Sequence, residues 1–349
     1  MKRKSEQEIM AATKPVDIFT MDIDVLEQEK DEYINRFKPQ AYNTVKNFVV
    51  TQKVILLYRQ ALSILSDREG NSLECSLTVI DKAGNRYDFD VHYSYDIKVC
   101  KMYVTEQNVI FVIDESKKMY YENYISKTCK FPKFNKAMWA NIKYMLPNVS
   151  KHFQSSDGSF VIIVNKPCKI YPLREILNYF GGKLRPEYVS SILTRLYYFE
   201  CYLDLVGITH NGITIDNLFF APGKKVEKGE DFTVDDMRIV GVYGGWFFST
   251  NADEKIKGVP AEVYEVLPTL VKNSGFSSFE VDELSIKKVA YELLGGSEDE
   301  FSGVPIPFLE WVKDTGVAKN AYEEQTAWEK IRTQSFGKPR FVEMDVSID

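Results

Sequence analysis

The sequence predicts an α+β chain of two lobes, β-rich first and helical second, with a helical segment ahead of both. Three observations carry that expectation. The apolar period is helical up to residue 70, switches to two between residues 73 and 114, and turns helical again beyond residue 186. Strands grouped before helices argue for α+β rather than an alternating α/β chain. A chain of 349 residues, 44% hydrophobic and 13% aromatic with 21 Tyr and 22 Phe, has the length and the large rings to build a core in each lobe.

Taken in order, residues 1–30 are mixed and charged and read as a loosely held terminal segment. From Tyr33 to Ser66 the apolar residues Val49, Val54, Ile55, Leu56, Ala61, Leu62 and Leu65 recur at helical steps, and the run stops at Gly70, a common helix terminator. Leu73–Ile80 and Arg86–Val91 alternate in polarity around Ala83-Gly84-Asn85, the pattern of a β-hairpin. Lys98–Thr105 and Asn108–Asp114 are two further β-rich runs, and Ser159–Val164 is a short apolar strand. Helices are expected over Glu115–Lys127 and Ala137–Met145. Pro186–Leu205 is the clearest helix: proline suits a first turn, and Val189, Ile192, Leu193, Leu196, Phe199 and Leu203 form one stripe. A second clear helix runs from Val281 to Leu294 and ends at Gly295-Gly296, while Gly223–Asp236 reads as a long polar loop. The expected divisions are a helical extension over 1–70, a β-rich lobe over 71–166 and a helical lobe over 167–345.

Charge and cysteine usage narrow the function classes. A formal charge of −6 disfavours a dedicated nucleic-acid binder, because a phosphate backbone needs a basic face. Five scattered cysteines (Cys75, Cys100, Cys129, Cys168, Cys201) form no CxxC pair, and three histidines give a zinc site few ligands. Met1-Lys2-Arg3-Lys4 leads into polar residues rather than an apolar run, and no stretch is long enough to span a membrane. The expectation is a cytoplasmic chain with reduced thiols and no membrane partner.

The informative stretch is Gly207-Ile208-Thr209-His210-Asn211-Gly212-Ile213-Thr214-Ile215-Asp216-Asn217, directly after the long helix. A histidine followed seven residues later by an asparagine and an apolar pair resembles the H-R-D-x-x-x-x-N catalytic loop of protein kinases. Other landmarks follow in order. Met237–Gly245 lies where the metal-binding Asp-Phe-Gly belongs, with Gly241 at the aspartate; Gly258-Val259-Pro260-Ala261-Glu262 resembles the Ala-Pro-Glu end of the activation segment. Val281-Asp282-Glu283-Leu284 resembles the start of the helix whose aspartate braces the catalytic-loop backbone.

The resemblance covers residues 85–345 and implies a bilobal protein-kinase-like fold. It narrows to bacterial and phage kinase-like proteins often described as J-domain or chaperone-like, on the small residues after His210 and a tail like Thr326-Ala327-Trp328-Glu329 and Phe336–Met344. The 1–70 segment looks like the last helix of a J-domain but has no His-Pro-Asp, so cochaperone activity is not expected.

The departures fall where the chemistry sits. Kinases need a glycine-rich phosphate loop, a strand lysine, a base and metal-holding Asn and Asp. Here Gly212 takes the place of the base and Gly241 that of the metal acid, Tyr93–Val99 holds no glycine, and Phe111 stands at the lysine. His210 is read as a packing residue and Asn217 as a brace of its own loop, leaving Asp216 and Lys101 as the candidates for any relocated chemistry. Glu262 has no arginine waiting for it in Ala321-Tyr322-Glu323-Glu324. The reading is a pseudokinase, a catalytically inactive protein-binding scaffold or regulator, with another protein as partner. No cofactor is expected; ATP with Mg²⁺ is the one the family would bring. Two alternatives stay open: a phospho- or nucleotidyl-transferase using Asp216, Asn217 and Lys101, and a viral accessory or structural protein of borrowed fold.

Overall fold

The computed structural model describes residues 76–134, 136–223, 237–252, 254–297, 301–338 and 342–344. The expected extension over 1–70, Cys75, residues 224–236 of the polar loop and 339–341 of the tail lie outside the described residues. Ser76–Met344 forms one compact unit.

That unit opens with the expected hairpin, β1 (Ser76–Ile80) paired to β2 (Arg86–Asp90). Its turn is set by Asp81, whose carboxylate accepts from the amides of Ala83 and Asn85 at 2.9 Å each, and by Gly84 at φ 86°. Five antiparallel strands follow: β3 (Tyr93–Ile97), β4 (Cys100–Val104), β5 (Asn108–Ile113), β6 (Asn148–Gln154) and β7 (Phe160–Asn165), in the order β3-β4-β5-β7-β6. The two edge strands, β3 and β6, were not expected. β6 is mostly polar, and β3 alternates, with Tyr93 buried and Ser94 and Asp96 exposed, so neither carries the continuous apolar run that marks the central strands. In the register Met102↔Phe111↔Ile162, alternation gives the sheet two faces. Tyr103, Ile110, Val161 and Ile163 pack beneath the β1–β2 hairpin. Met102, Phe111 and Ile162 lie on the opposite face, against helix α1 (Lys118–Thr128).

The helical lobe is built around a central helix. After α2 (Lys136–Ile142) and α3 (Leu173–Tyr179) comes α4 (Pro186–Val206), with proline in its first turn and Gly207 at φ 66° ending it. Its expected stripe is buried throughout, from Val189 to Leu203. Helices α5 (Ala261–Val266), α6 (Thr269–Ser274), α7 (Phe279–Leu293), α8 (Ile306–Lys313) and α9 (Ala321–Phe336) complete it, with α7 and α9 packed along α4. Tyr197, Phe308, Trp311 and Trp328 meet there, the two tryptophans at 4.7 Å between ring centroids. Two small sheets lie within the helical lobe: β8 (Tyr171–Pro172), β10 (Leu218–Ala221) and β11 (Ile239–Val242) in one, and β9 (Ile208–Thr209) with β12 (Thr250–Asn251) in the other. No helix among the described residues is long and apolar enough to cross a membrane.

Candidate functional site: a closed inter-lobe cleft

The 207–217 loop is held from below by one carboxylate. Asp282, buried in the first turn of α7, accepts the amide of His210 at 2.6 Å and that of Asn211 at 2.8 Å. This double bond to consecutive amides fixes the loop's entry, and Asn211 accordingly sits at φ 57°, which its short polar side chain tolerates by local hydrogen bonding. Its Nδ2 donates to Thr250 Oγ1 (2.9 Å) and the Phe248 carbonyl (3.1 Å), and Ser277 Oγ donates to its Oδ1 (2.7 Å). The His210 ring is wholly buried, edge-on to Trp246 at 4.8 Å and near Phe199 at 6.0 Å. Neither ring nitrogen has a hydrogen-bond partner, and burial pushes the imidazole down to about 3, with the nearby Gly244 backbone offsetting only part of that. The ring is thus held neutral and packed among aromatic side chains.

Gly212 and Gly245 make the next contact. A Cβ on Gly212 would stand 2.6 Å from the Gly245 carbonyl oxygen and 2.9 Å from its Cα. A Cβ on Gly245, itself at φ 77°, would run into the Gly212 oxygen and stand 2.5 Å from His210 Cε1. The two loops therefore touch backbone to backbone. Gly244 continues the seam, its amide 3.2 Å from the Asn217 carbonyl, and a Cβ there would meet Asn217 Oδ1. Asn217 Nδ2 donates to the Gly212 carbonyl (2.9 Å) and Thr214 Oγ1 (3.0 Å), bracing its own loop.

Above the seam the space between the lobes is filled by rings. Phe111 of β5 meets Tyr124 of α1 at 5.5 Å and Phe247 at 5.3 Å, and Tyr124 meets Phe247 at 4.9 Å. All three are fully or almost fully buried. Tyr124 Oη donates to the Tyr243 carbonyl at 2.8 Å, and its neighbour Asn123 donates to the carbonyls of Phe247 (3.0 Å) and Ser249 (2.8 Å). Two adjacent α1 residues thus stitch the β-rich lobe to the segment that follows β11. Sequence reading placed Phe111 but not Tyr124 or Phe247, which meet it only through tertiary folding.

The remaining expected residues are placed as follows. Gly241, read as standing at the metal-acid position, lies inside β11 opposite Phe219, and the chain leaves that strand at Tyr243. A Cβ on Gly241 would collide with the Tyr243 ring, so this glycine clears room for an aromatic. Asp216 holds Arg174 of α3 through two bonds, at 2.7 and 3.0 Å. Arg174 is raised above its ordinary range first by that bond, against burial, with Glu292 and Glu262 adding to it. Lys101 is exposed and pairs with Val112, on the sheet face opposite Phe111. Asp235 and Asp236 lie outside the described residues.

Beneath the loop is a cluster of buried acids. Glu200 of α4 is buried with neither carboxyl oxygen hydrogen-bonded, beside Glu283 and Asp282 of α7. Tyr197 donates to Glu283 at 2.7 Å, and Lys287, 3.5 Å from Glu283 and 3.7 Å from Glu324, is the cation of the group. Burial is the main cause raising all three acids: Asp282 to about 7 against its two amide bonds, and Glu200 and Glu283 upward, each reinforced by neighbouring carboxyls. Acids raised in the folded state retain protons that the unfolded chain has released. Their contribution is complete below the ordinary carboxylate range and is lost as pH climbs through 7 and above. The exposed acids with lowered values (Asp81, Asp88, Asp114, Asp157, Glu254) change stability only in the acid range. His210 matters only below about pH 6.5. Thermal melts should therefore show Tm falling by several degrees from about pH 6.5 to pH 8, with Glu200→Gln flattening the slope; a Tm rising over this window would contradict the assignment.

No family model matches the chain, and no curated protein matches it. Solved structures do. The structure of vaccinia related kinase 3 superposes with a TM-score of 0.51 at 12% identity, covering 76% of this chain and 93% of that one. The fold is protein-kinase-like. A Plasmodium kinase domain is also similar, with a TM-score of 0.43 at 13% identity over 60% of this chain and 64% of that one. In the kinase-like frame, the 1-2-3-5-4 order of the five-stranded sheet with α1 between its third and fourth strands is the β-rich lobe, and α4 and α7 are the pillars of the helical one.

Proposed function

We propose that this protein is a pseudokinase: a kinase-like scaffold that binds another protein and transfers no phosphate. The observation that carries the reading is the closure of the cleft from both sides. The Phe111–Tyr124–Phe247 cluster occupies the place where the resemblance puts the phosphate-binding lysine, and the Gly212–Gly245 seam occupies the base position. A magnesium–triphosphate fits these residues poorly. The loop's own carboxylate, Asp216, is paired with Arg174, Asn217 Nδ2 is engaged within its own loop, and Lys101 faces away. Further support comes from the hairpin joining β3 and β4, which turns through Lys98-Val99 with no glycine to let backbone amides approach phosphates. Four described cysteines are free thiols, which fits a reducing, cytoplasmic compartment.

The test is nucleotide binding. A ligand at a hundred times its Kd stabilises a folded protein by about 2.7 kcal/mol, a Tm shift of roughly 5–10 °C for a unit of this size. ATP with Mg²⁺ is expected to give no shift in a thermal melt and no heat in calorimetry. A saturable shift that depends on both nucleotide and metal would end the reading.

A further inference from the structure

A cavity of about 600 Å³ lies on the helical lobe, between the first turns of α4, the end of α9 and the Gly303–Pro305 turn. Three cations line it: Arg195 of α4, Arg332 of α9 and Lys338 just beyond α9. Among the described residues its one lining carboxylate is Glu187, which already takes the Arg185 guanidinium at 3.3 Å. The rest of the wall mixes the hydroxyl residues Ser190, Ser191, Thr194 and Ser335 with apolar ones such as Phe336 and Val342. On a chain of net charge −6 this is a local inversion of sign.

The cations are unevenly satisfied. Arg332 pairs with Glu329 through one terminal nitrogen, while its Nε and the Oγ of Ser335 have no hydrogen-bond partner. Arg195 is half-buried and forms no ion pair with any described residue, and burial holds its guanidinium below the usual range. Arg238 lies beside the cavity wall. It donates to Ser191 Oγ (3.1 Å) and to the carbonyls of Pro222 (2.8 Å) and Val342 (2.6 Å), and it and Arg195 repel each other. A half-buried guanidinium such as that of Arg195, with no counter-charge among the described residues, is costly, and an anion entering the cavity removes that cost. Guanidinium forks match the oxygens of phosphate, and the volume is that of a small organic ligand.

We propose that this cavity is a binding site for a phosphate-bearing anion, with Arg195 and Lys338 as its main charged contacts. The site lies apart from the closed cleft and does not depend on the pseudokinase reading. The shared chemistry is the phosphate group, carried by a free small molecule or by a phosphorylated side chain.

Calorimetry with inorganic pyrophosphate and with a phosphoserine peptide tests it on the full chain. Pyrophosphate is expected to bind wild type, to weaken at least tenfold in Arg195→Gln, and to weaken measurably in Lys338→Gln. Lys338 is exposed, so its variant stays informative if Arg195→Gln folds poorly. Tighter binding of the peptide than of pyrophosphate assigns the phosphate to a protein chain, and the reverse assigns it to a free ligand; either supports the site if it weakens in the same variants. No heat from either probe at millimolar concentration, or equal affinity in wild type and both variants, overturns it.

Discussion

Gly212→Asp, which restores an acid to the base position, is expected to destabilise the protein and to leave phosphoryl transfer at background. The reason is geometric. The first side-chain atom would meet the Gly245 carbonyl and Cα, both backbone, so no rotamer change relieves the contact. Gly245 in turn is pinned by its own approach to Gly212 and His210. Overpacking of this kind costs about 1–3 kcal/mol, a Tm loss of roughly 2–12 °C. A melt and a radiolabelled-ATP assay on the same preparation decide the matter. Unchanged stability with labelling above background would mean that the seam opens in solution.

Trp246→Ala should have the larger effect on stability. The ring is completely buried between His210, Phe199 and Phe131, at centroid distances of 4.8, 6.0 and 5.3 Å, and its Nε1 donates to the Val242 carbonyl at 2.7 Å. Removing a fully packed indole costs about 3–5 kcal/mol through lost transfer energy and the cavity left behind, here a Tm loss of roughly 6–20 °C. A second readout separates this cage from general loosening. With Trp246 gone, water reaches His210, and its ring should titrate well above about 3 in NMR spectra. A chain with three histidines makes the assignment tractable. A small Tm change with His210 still untitrated would show that the indole is not what encloses the ring.

Much of the fold was legible because its signals are local. The span of α4 follows from Pro186 and an unbroken apolar stripe, and the β1–β2 hairpin from alternation around Gly84. Asp282 was legible by its place at the start of a helix, and it does reach two amides of the 207–217 loop. Strands β3 and β6 escaped because an edge strand can carry a mixed, partly exposed sequence with no continuous apolar run. Nothing local shows where β11 stops; its end is fixed by pairing with β10. The partners of Phe111 escaped for a different reason. Tyr124 and Phe247 are 123 residues apart in sequence, and an aromatic in an apolar run looks like any other core residue until folding brings the three together. The acid cluster around Glu200 and the cationic cavity are likewise products of helix packing, invisible to periodicity.

The bonds from Asn123 and Tyr124 to the backbone after β11 have a kinetic consequence. Kinases close about ligands by hinge motion of their halves; here the junction is fastened by the buried side chains of Asn123 and Tyr124 on backbone carbonyls of the other half. Any ligand surface spanning both halves is therefore already in its final shape before encounter. Such rigid surfaces lose little disorder on docking, so complexes formed across this junction should assemble in one kinetic phase limited by collision and orientation, with no slower rearrangement behind it.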